Sequence, residues 1–273
     1  MVMIKKNDGT LAEFDIGKVK QTLERLDTNS KVVNDALKAV KAKVREGMTT
    51  REIYNIVFNI LKKEQHVVAS KYSLKNAIVD LGPKGFNFED FTCRILQEKG
   101  YDTEIRQLLN GEVITHETDV IATKKTTANT GTPYVCMAVE CKFHSQPWTY
   151  CPIQTALYVY ARFLDIQEGY ELGREKRKVT TMMIATNTRF SSEVIRYAQS
   201  KDILLISWDY PKGQGIKDIV DKKGLYPITV LTTLSKHEKT MLMKKGILLV
   251  KDINEKDVKP AVMKEVSEFL KSV

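Results

Sequence analysis

From Val19 onward the apolar residues of this chain recur every three or four positions. Val19, Leu23 and Leu26 form one such run, and Val33, Leu37, Val40 and Val44 a second. That is the period of a helix with one buried face. Before them, Ile4 leads into Asn7-Asp8-Gly9 and the chain returns through Leu11 to Phe14, which predicts a short hairpin over 3–15. Thr49 or Thr50 caps a third helix, carrying Ile53, Val57, Ile60 and Leu61. A fourth helix covers about 67–81. Leu81-Gly82-Pro83-Lys84-Gly85 stops it and marks a domain boundary.

Beyond that boundary the period alternates. A helix is expected over about 86–98, then strands over about 101–105, 117–123 and 134–142, the last two joined by a turn-rich stretch from Lys124 to Pro133. Cys151-Pro152 opens a helix whose apolar residues are Leu157, Tyr160, Ala161 and Leu164. A strand over about 179–185, a helix capped by Ser191-Ser192 and a strand over about 203–207 follow. Strands alternating with helices argue for an α/β sheet with helices on both faces. The tail from about 211 reads as mainly helical. Three domains result: 1–84, 85–212 and 213–273.

Composition adds limits. With 273 residues, 42% hydrophobic and 28% charged, the chain has the balance of a soluble globular protein. Its start runs straight into charge at Lys5-Lys6, with no signal-peptide core. No apolar run approaches ~20 residues, so no membrane span is expected. Cys93, Cys136, Cys141 and Cys151 form no C-x-x-C pair. Free thiols in a reducing cytoplasm are the simpler reading. The net charge of +9 suits a polyanion. Its distribution weakens that argument. Residues 1–85 hold 16 Lys+Arg against 10 Asp+Glu, a surplus of +6, and only +3 is left for the rest. A Lys-rich solubilising surface accounts for the charge equally well.

The sharpest chemistry lies in Val139-Glu140-Cys141-Lys142. On a strand, Glu140 and Lys142 share a face. A carboxylate and a lysine on an otherwise apolar strand are costly unless a metal or substrate uses them. Upstream, Asp119 begins an apolar strand within His116-Glu117-Thr118-Asp119-Val120. A hairpin between the two strands brings Asp119 beside Glu140. Two carboxylates and water make a hard-oxygen site for Mg²⁺ or Mn²⁺. Such an ion polarises a phosphodiester and activates water, and Lys142 stabilises the developing charge. Surface salt bridges are the alternative.

Residues about 86–210 resemble the Mrr-like branch of the PD-(D/E)xK restriction-endonuclease superfamily. The resemblance rests on Glu89 in Phe86-Asn87-Phe88-Glu89, then Asp119, then Glu140 and Lys142, then Gln154 in Gln154-Thr155-Ala156-Leu157-Tyr158. It implies a restriction-endonuclease-like α/β core and a metal-dependent DNA endonuclease. Asp119 and Glu140 would hold the metal, Glu89 would assist from the first helix, and Gln154 would approach the phosphate or Lys142. His116 and His144 are candidate DNA contacts, and Trp148 and Tyr150 candidate stacking surfaces. Nucleases cutting both strands commonly pair up, so a homodimer or higher oligomer is expected.

Residues 1–85 resemble an ATP-cone, a nucleotide-sensing domain, through Ile4-Lys5-Lys6-Asn7-Asp8-Gly9, Phe14-Asp15-Ile16-Gly17-Lys18 and the four-helix pattern. The resemblance implies ATP or dATP as an effector. Lys5, Lys6 and Lys18 can converge beside a hairpin and a helix start, and Thr50 adds a hydroxyl. The tail over about 226–258 is similar to a helix–hairpin–helix module, and a plain helical cap explains it as well. The leading reading is a nucleotide-regulated DNA endonuclease. A DNA-binding regulator with an inactive nuclease fold and an RNA-processing nuclease stay open beside it.

Overall fold

The computed structural model describes residues 2–26, 28–82, 86–125 and 133–273. The predicted stop at 83–85 and the centre of the turn-rich 124–133 stretch lie outside the described residues. The chain divides into two compact units: Met1–Ala77 with Ile228–Val273, and Ile78–Pro227.

The first unit opens with β1 (Met3–Lys5) and β2 (Leu11–Glu13), an antiparallel pair with Ile4 opposite Ala12. Gly9 takes φ +86° in the turn, a conformation that costs a side-chain-bearing residue far more. Next come α1 (Ile16–Glu24), α2 (Ser30–Lys43), α3 (Thr50–Glu64) and α4 (His66–Tyr72). The starts are capped by side chains. Asp15 accepts from the Gly17 amide, Asn29 from the Lys31 amide, and Thr49 and Glu52 form a reciprocal capping box. The single fourth helix expected over 67–81 is two: Ser73 bonds Ser70 O through its hydroxyl, and α5 (Leu74–Val79) starts afresh. Leu23, Ala36, Val40, Val57, Leu61 and Ala69 are fully buried in one core.

The second unit begins with α6 (Phe86–Glu98), followed by β3 (Asp102–Asn110), β4 (Thr115–Lys125) and β5 (Tyr134–Lys142). A two-residue strand, β6 (Tyr150–Cys151), leads to α7 (Ile153–Glu171). Then come β7 (Thr181–Thr186), β8 (Arg189–Phe190), α8 (Ser192–Ser200), β9 (Ile203–Ile206) and α9 (Ile216–Lys223). The sheet runs β3-β4-β5-β7-β9, antiparallel through β5 and parallel beyond it. The crossover from β5 to β7 passes through α7, as a parallel connection requires. The short β6 and β8 pair with each other in parallel.

One expectation is corrected on α7. Leu157 and Leu164 are 46% and 41% exposed. The buried face instead carries Thr155, Ala156, Val159, Arg162 and Ile166. The expected tail also divides. Helix α9 belongs to the second unit, whereas α10 (Lys236–Lys244) and α11 (Pro260–Leu270) pack with the first. There Thr229 donates to Ala77 O, and Lys71 to Ser272 O.

Candidate active site

Strands β4 and β5 pair with Val120 opposite Val139. One step further along that register sets Asp119 against Glu140. A hydrogen bond holds the junction: the Cys141 amide donates to Asp119 Oδ2 at 2.7 Å. A side-chain oxygen thus takes a place in the ladder that a backbone carbonyl would otherwise fill. Lys142 ends β5 and is exposed. Its positive charge draws the Asp119 and Glu140 carboxyls downward.

Both carboxyls nonetheless sit above their ordinary range. For Asp119 burial is the main cause, and the Cys141 bond and Arg162 only partly offset it. For Glu140 burial comes first and the Asp119 charge second. Glu89, 8% exposed on α6, is raised by burial and then by Asp119. Three acidic side chains therefore act on one another in a partly desolvated place, the pattern of functional sites. Arg106, a β3 residue at φ +52°, reaches Glu89 at 2.8 Å and Asp90 at 3.3 Å.

Arg162 is the group that sequence reasoning missed. It projects from the inward face of α7, 9% exposed, and its Nη1 lies 2.6 Å from Glu140 Oε2. Its Nη2 bonds the Glu117 carbonyl, and its guanidinium lies 5.1 Å from the Tyr158 ring centroid. The available signal was an arginine in register with Ala156, Val159 and Ile166 at helical spacing.

Each of the two carboxylates has one oxygen engaged by protein. Among the described residues the second oxygen of each accepts no hydrogen bond. Hard, anionic oxygens held near one another under burial fit a divalent cation in chemistry. No group of three His, Cys, Asp or Glu side chains is arrayed around a common point among the described residues. The protein donors would therefore be Asp119 and Glu140, completed by water.

The other expected residues lie as follows. Gln154 is exposed in the first turn of α7. His116 is 7% exposed, and its Nε2 meets Asp165 Oδ2 at 2.6 Å. Asp165 also accepts from the Val113 amide at 2.9 Å, so His116 is engaged in fastening the β3–β4 turn to α7 rather than presented to a ligand. His144 is half-buried. Its backbone is gripped on both sides by the Asn187 amide group, each bond 2.8 Å, and burial followed by the Lys142 charge lowers its imidazole pKa. Trp148 and Tyr150 are 38% and 53% exposed.

In the first unit, Lys5 and Lys6 are exposed at the hairpin. Lys5 bridges to Thr49, and Thr50 Oγ1 donates to Asn7 Oδ1 at 3.1 Å. The hairpin and the start of α3 are thereby joined. Lys18 is exposed in the first turn of α1.

Comparison with known proteins divides the chain at nearly the same places. Residues 2–78 match the ATP cone domain, and residues 226–268 match a domain described as AF1548-like, C-terminal. An uncharacterised protein of Archaeoglobus fulgidus is 36% identical over 161 residues, 59% of this chain and 82% of the relative. A crystal structure of a protein of unknown function, AF1548, is similar with a TM-score of 0.51 and 30% identity, over 68% of this chain and 95% of the other. The restriction endonuclease MspJI bound to a 27-mer oligonucleotide gives a TM-score of 0.36 at 13% identity, over 64% of this chain and 40% of the other, too slight a likeness to weigh. The extent of the match to AF1548, 30% identical over 95% of that chain, places this chain, with an ATP cone at its N-terminus, in the AF1548-like family.

Proposed function

We propose that this chain is a metal-dependent endonuclease that hydrolyses phosphodiester bonds of DNA, regulated by ATP or dATP bound at its ATP cone. The observation that carries the reading is Asp119 set beside Glu140 across β4 and β5, with exposed Lys142 two residues on. The order of elements supports it: a helix bearing Glu89, then the strand of Asp119, the strand of Glu140 and Lys142, and a helix bearing Gln154. This is the order that the PD-(D/E)xK resemblance implies.

Mg²⁺ or Mn²⁺, when bound, supplies Lewis acidity and a water acidic enough to ionise near neutrality. The residues of the chain do the rest. Asp119 and Glu140 would hold the cation, and Glu89 would add negative potential from α6. The Lys142 ammonium stabilises charge developing on the phosphate. Gln154 and His144 are candidate contacts to the strand being cut. In the ATP cone, Lys5, Lys6 and Lys18 supply charge for a triphosphate, and Thr50 a hydroxyl tied to the hairpin through Asn7. Four free thiols suit a cytoplasmic setting. Among the described residues no helix is long and apolar enough to cross a membrane.

The test is cleavage of supercoiled, linear and single-stranded DNA and of RNA, with Mg²⁺ or Mn²⁺, with and without ATP or dATP. Metal-dependent cutting that disappears in Asp119→Ala and Glu140→Ala is expected. Cutting that survives either substitution would refute the assignment. One observation favours a second reading: Arg162 already neutralises Glu140. A DNA-binding regulator that does not cut would retain DNA without metal and leave every substrate intact.

A further inference from the structure

We propose that Arg162 is a positioning residue for the carboxylate pair, fixing Glu140 by one oxygen and thereby setting the affinity of the site for a divalent cation. The inference rests on the reading of Asp119 and Glu140 as metal ligands.

A guanidinium is a rigid fork, and both prongs of this one are used. Nη1 lies 2.6 Å from Glu140 Oε2 on β5. Nη2 bonds the Glu117 carbonyl on β4 and lies 3.5 Å from Thr118 Oγ1. One side chain of α7 therefore grips both of the strands that bring Asp119 and Glu140 together. The face of the guanidinium is covered by Tyr158, which is itself 57% exposed. A group with this many partners is anchored, and swinging it away from Glu140 would strand a charge that is 9% exposed.

The oxygens carry the second half of the argument. Glu140 Oε2 is spent on Arg162, and Asp119 Oδ2 on the Cys141 amide. Each carboxylate thus keeps one oxygen without a hydrogen bond among the described residues. Outer contacts that orient metal-binding carboxylates work in this way, and their loss typically weakens metal affinity about 10–100-fold. Lysine carries the same charge but a single point of attachment. It can meet Glu140 or the Glu117 carbonyl, but not both in the fixed geometry of the fork.

The experiment measures Mn²⁺ binding to the full chain by electron paramagnetic resonance and calorimetry, without nucleic acid. Wild type is compared with Arg162→Lys, Arg162→Met and Asp119→Asn, each checked for folding by circular dichroism. Arg162→Lys is expected to fold and to bind Mn²⁺ about 10-fold or more weakly. Arg162→Met is expected to bind weakly too. If Arg162→Met fails to fold, Arg162→Lys alone decides. Wild-type affinity in Arg162→Lys overturns the positioning role and leaves the nuclease reading standing. Wild-type protein that takes up no Mn²⁺, or Asp119→Asn that binds it undiminished, overturns the metal site itself.

Discussion

Glu265 collects four hydrogen bonds on one carboxylate. Its Oε1 accepts from the Thr232 amide at 2.8 Å and from the Thr232 hydroxyl at 2.9 Å. Its Oε2 accepts from the Thr233 amide at 3.0 Å and from the Thr233 hydroxyl. The residue is 5% exposed, so water has little access to replace it. In Glu265→Ala the two hydroxyls can rotate to other acceptors, but the two amides cannot. A buried donor left unpaired costs about 1–3 kcal/mol. The loss is therefore about 4 kcal/mol, a large share of the roughly 5–15 kcal/mol that holds a domain folded. Glu265→Gln keeps one acceptor oxygen and turns an amino group on the other pair of donors, which sets its cost near half, about 2 kcal/mol. With a urea dependence of about 2 kcal/mol/M, the midpoints fall by roughly 2 M and 1 M.

The pH dependence supplies a second measurement. Burial alone would raise the Glu265 carboxyl, but the bonds from Thr233 and Thr232 outweigh it and hold it below the usual 4.5. A carboxyl depressed in the folded state contributes stability above its unfolded value and loses it as pH falls through its folded value. The gap between wild type and Glu265→Gln is thus full at pH 7 and closes below about pH 4.5. A Glu265→Ala midpoint within about 0.5 M of wild type, or a gap unchanged down to pH 3, would refute the reasoning.

Three further outcomes follow from the same kind of accounting. Asp119 is raised in the folded state, so protonation favours folding and the ionised carboxyl weighs against it at neutral pH. Asp119→Asn, which keeps an acceptor for the Cys141 amide, should therefore raise the melting temperature, and differential scanning calorimetry reads this directly. His116→Ala should cost about 1–3 kcal/mol by loss of the bond to Asp165, with DNA affinity in a filter-binding assay unchanged. Thr49→Ala breaks the reciprocal cap of α3 and should cost about 1 kcal/mol in chemical denaturation.

The local signals in the sequence carried the strand chemistry. Alternation put Glu140 and Lys142 on one face, and the turn-rich stretch before Tyr134 joined two strands that do pair. The helices of the first unit were legible through their apolar spacing and their caps. What was hidden depended on polar residues that point inward. Arg162 and Thr155 interrupt the apolar stripe of α7, so the stripe was assigned to Leu157 and Leu164, which face outward. The four partners of Glu265 and the fork of Arg162 likewise join residues far apart in sequence, which no local period reports. The two-residue strands β6 and β8 are too short to alternate, and their pairing depends on α7 and β7 between them.

The first unit is written in two instalments, with the whole second unit between them. A ribosome therefore completes Ile78–Pro227, a continuous stretch with its own sheet, before it makes α10 and α11. Until then, α4 lacks the Lys71 and His66 partners at Ser272 and Thr232, and Ala77 O lacks Thr229. Domains generally fold as units in order of synthesis, and here that order is inverted for the N-terminal one. The unit that holds the ATP cone is the last to be finished, and its final contacts close only when the sheet-bearing unit has already had time to fold.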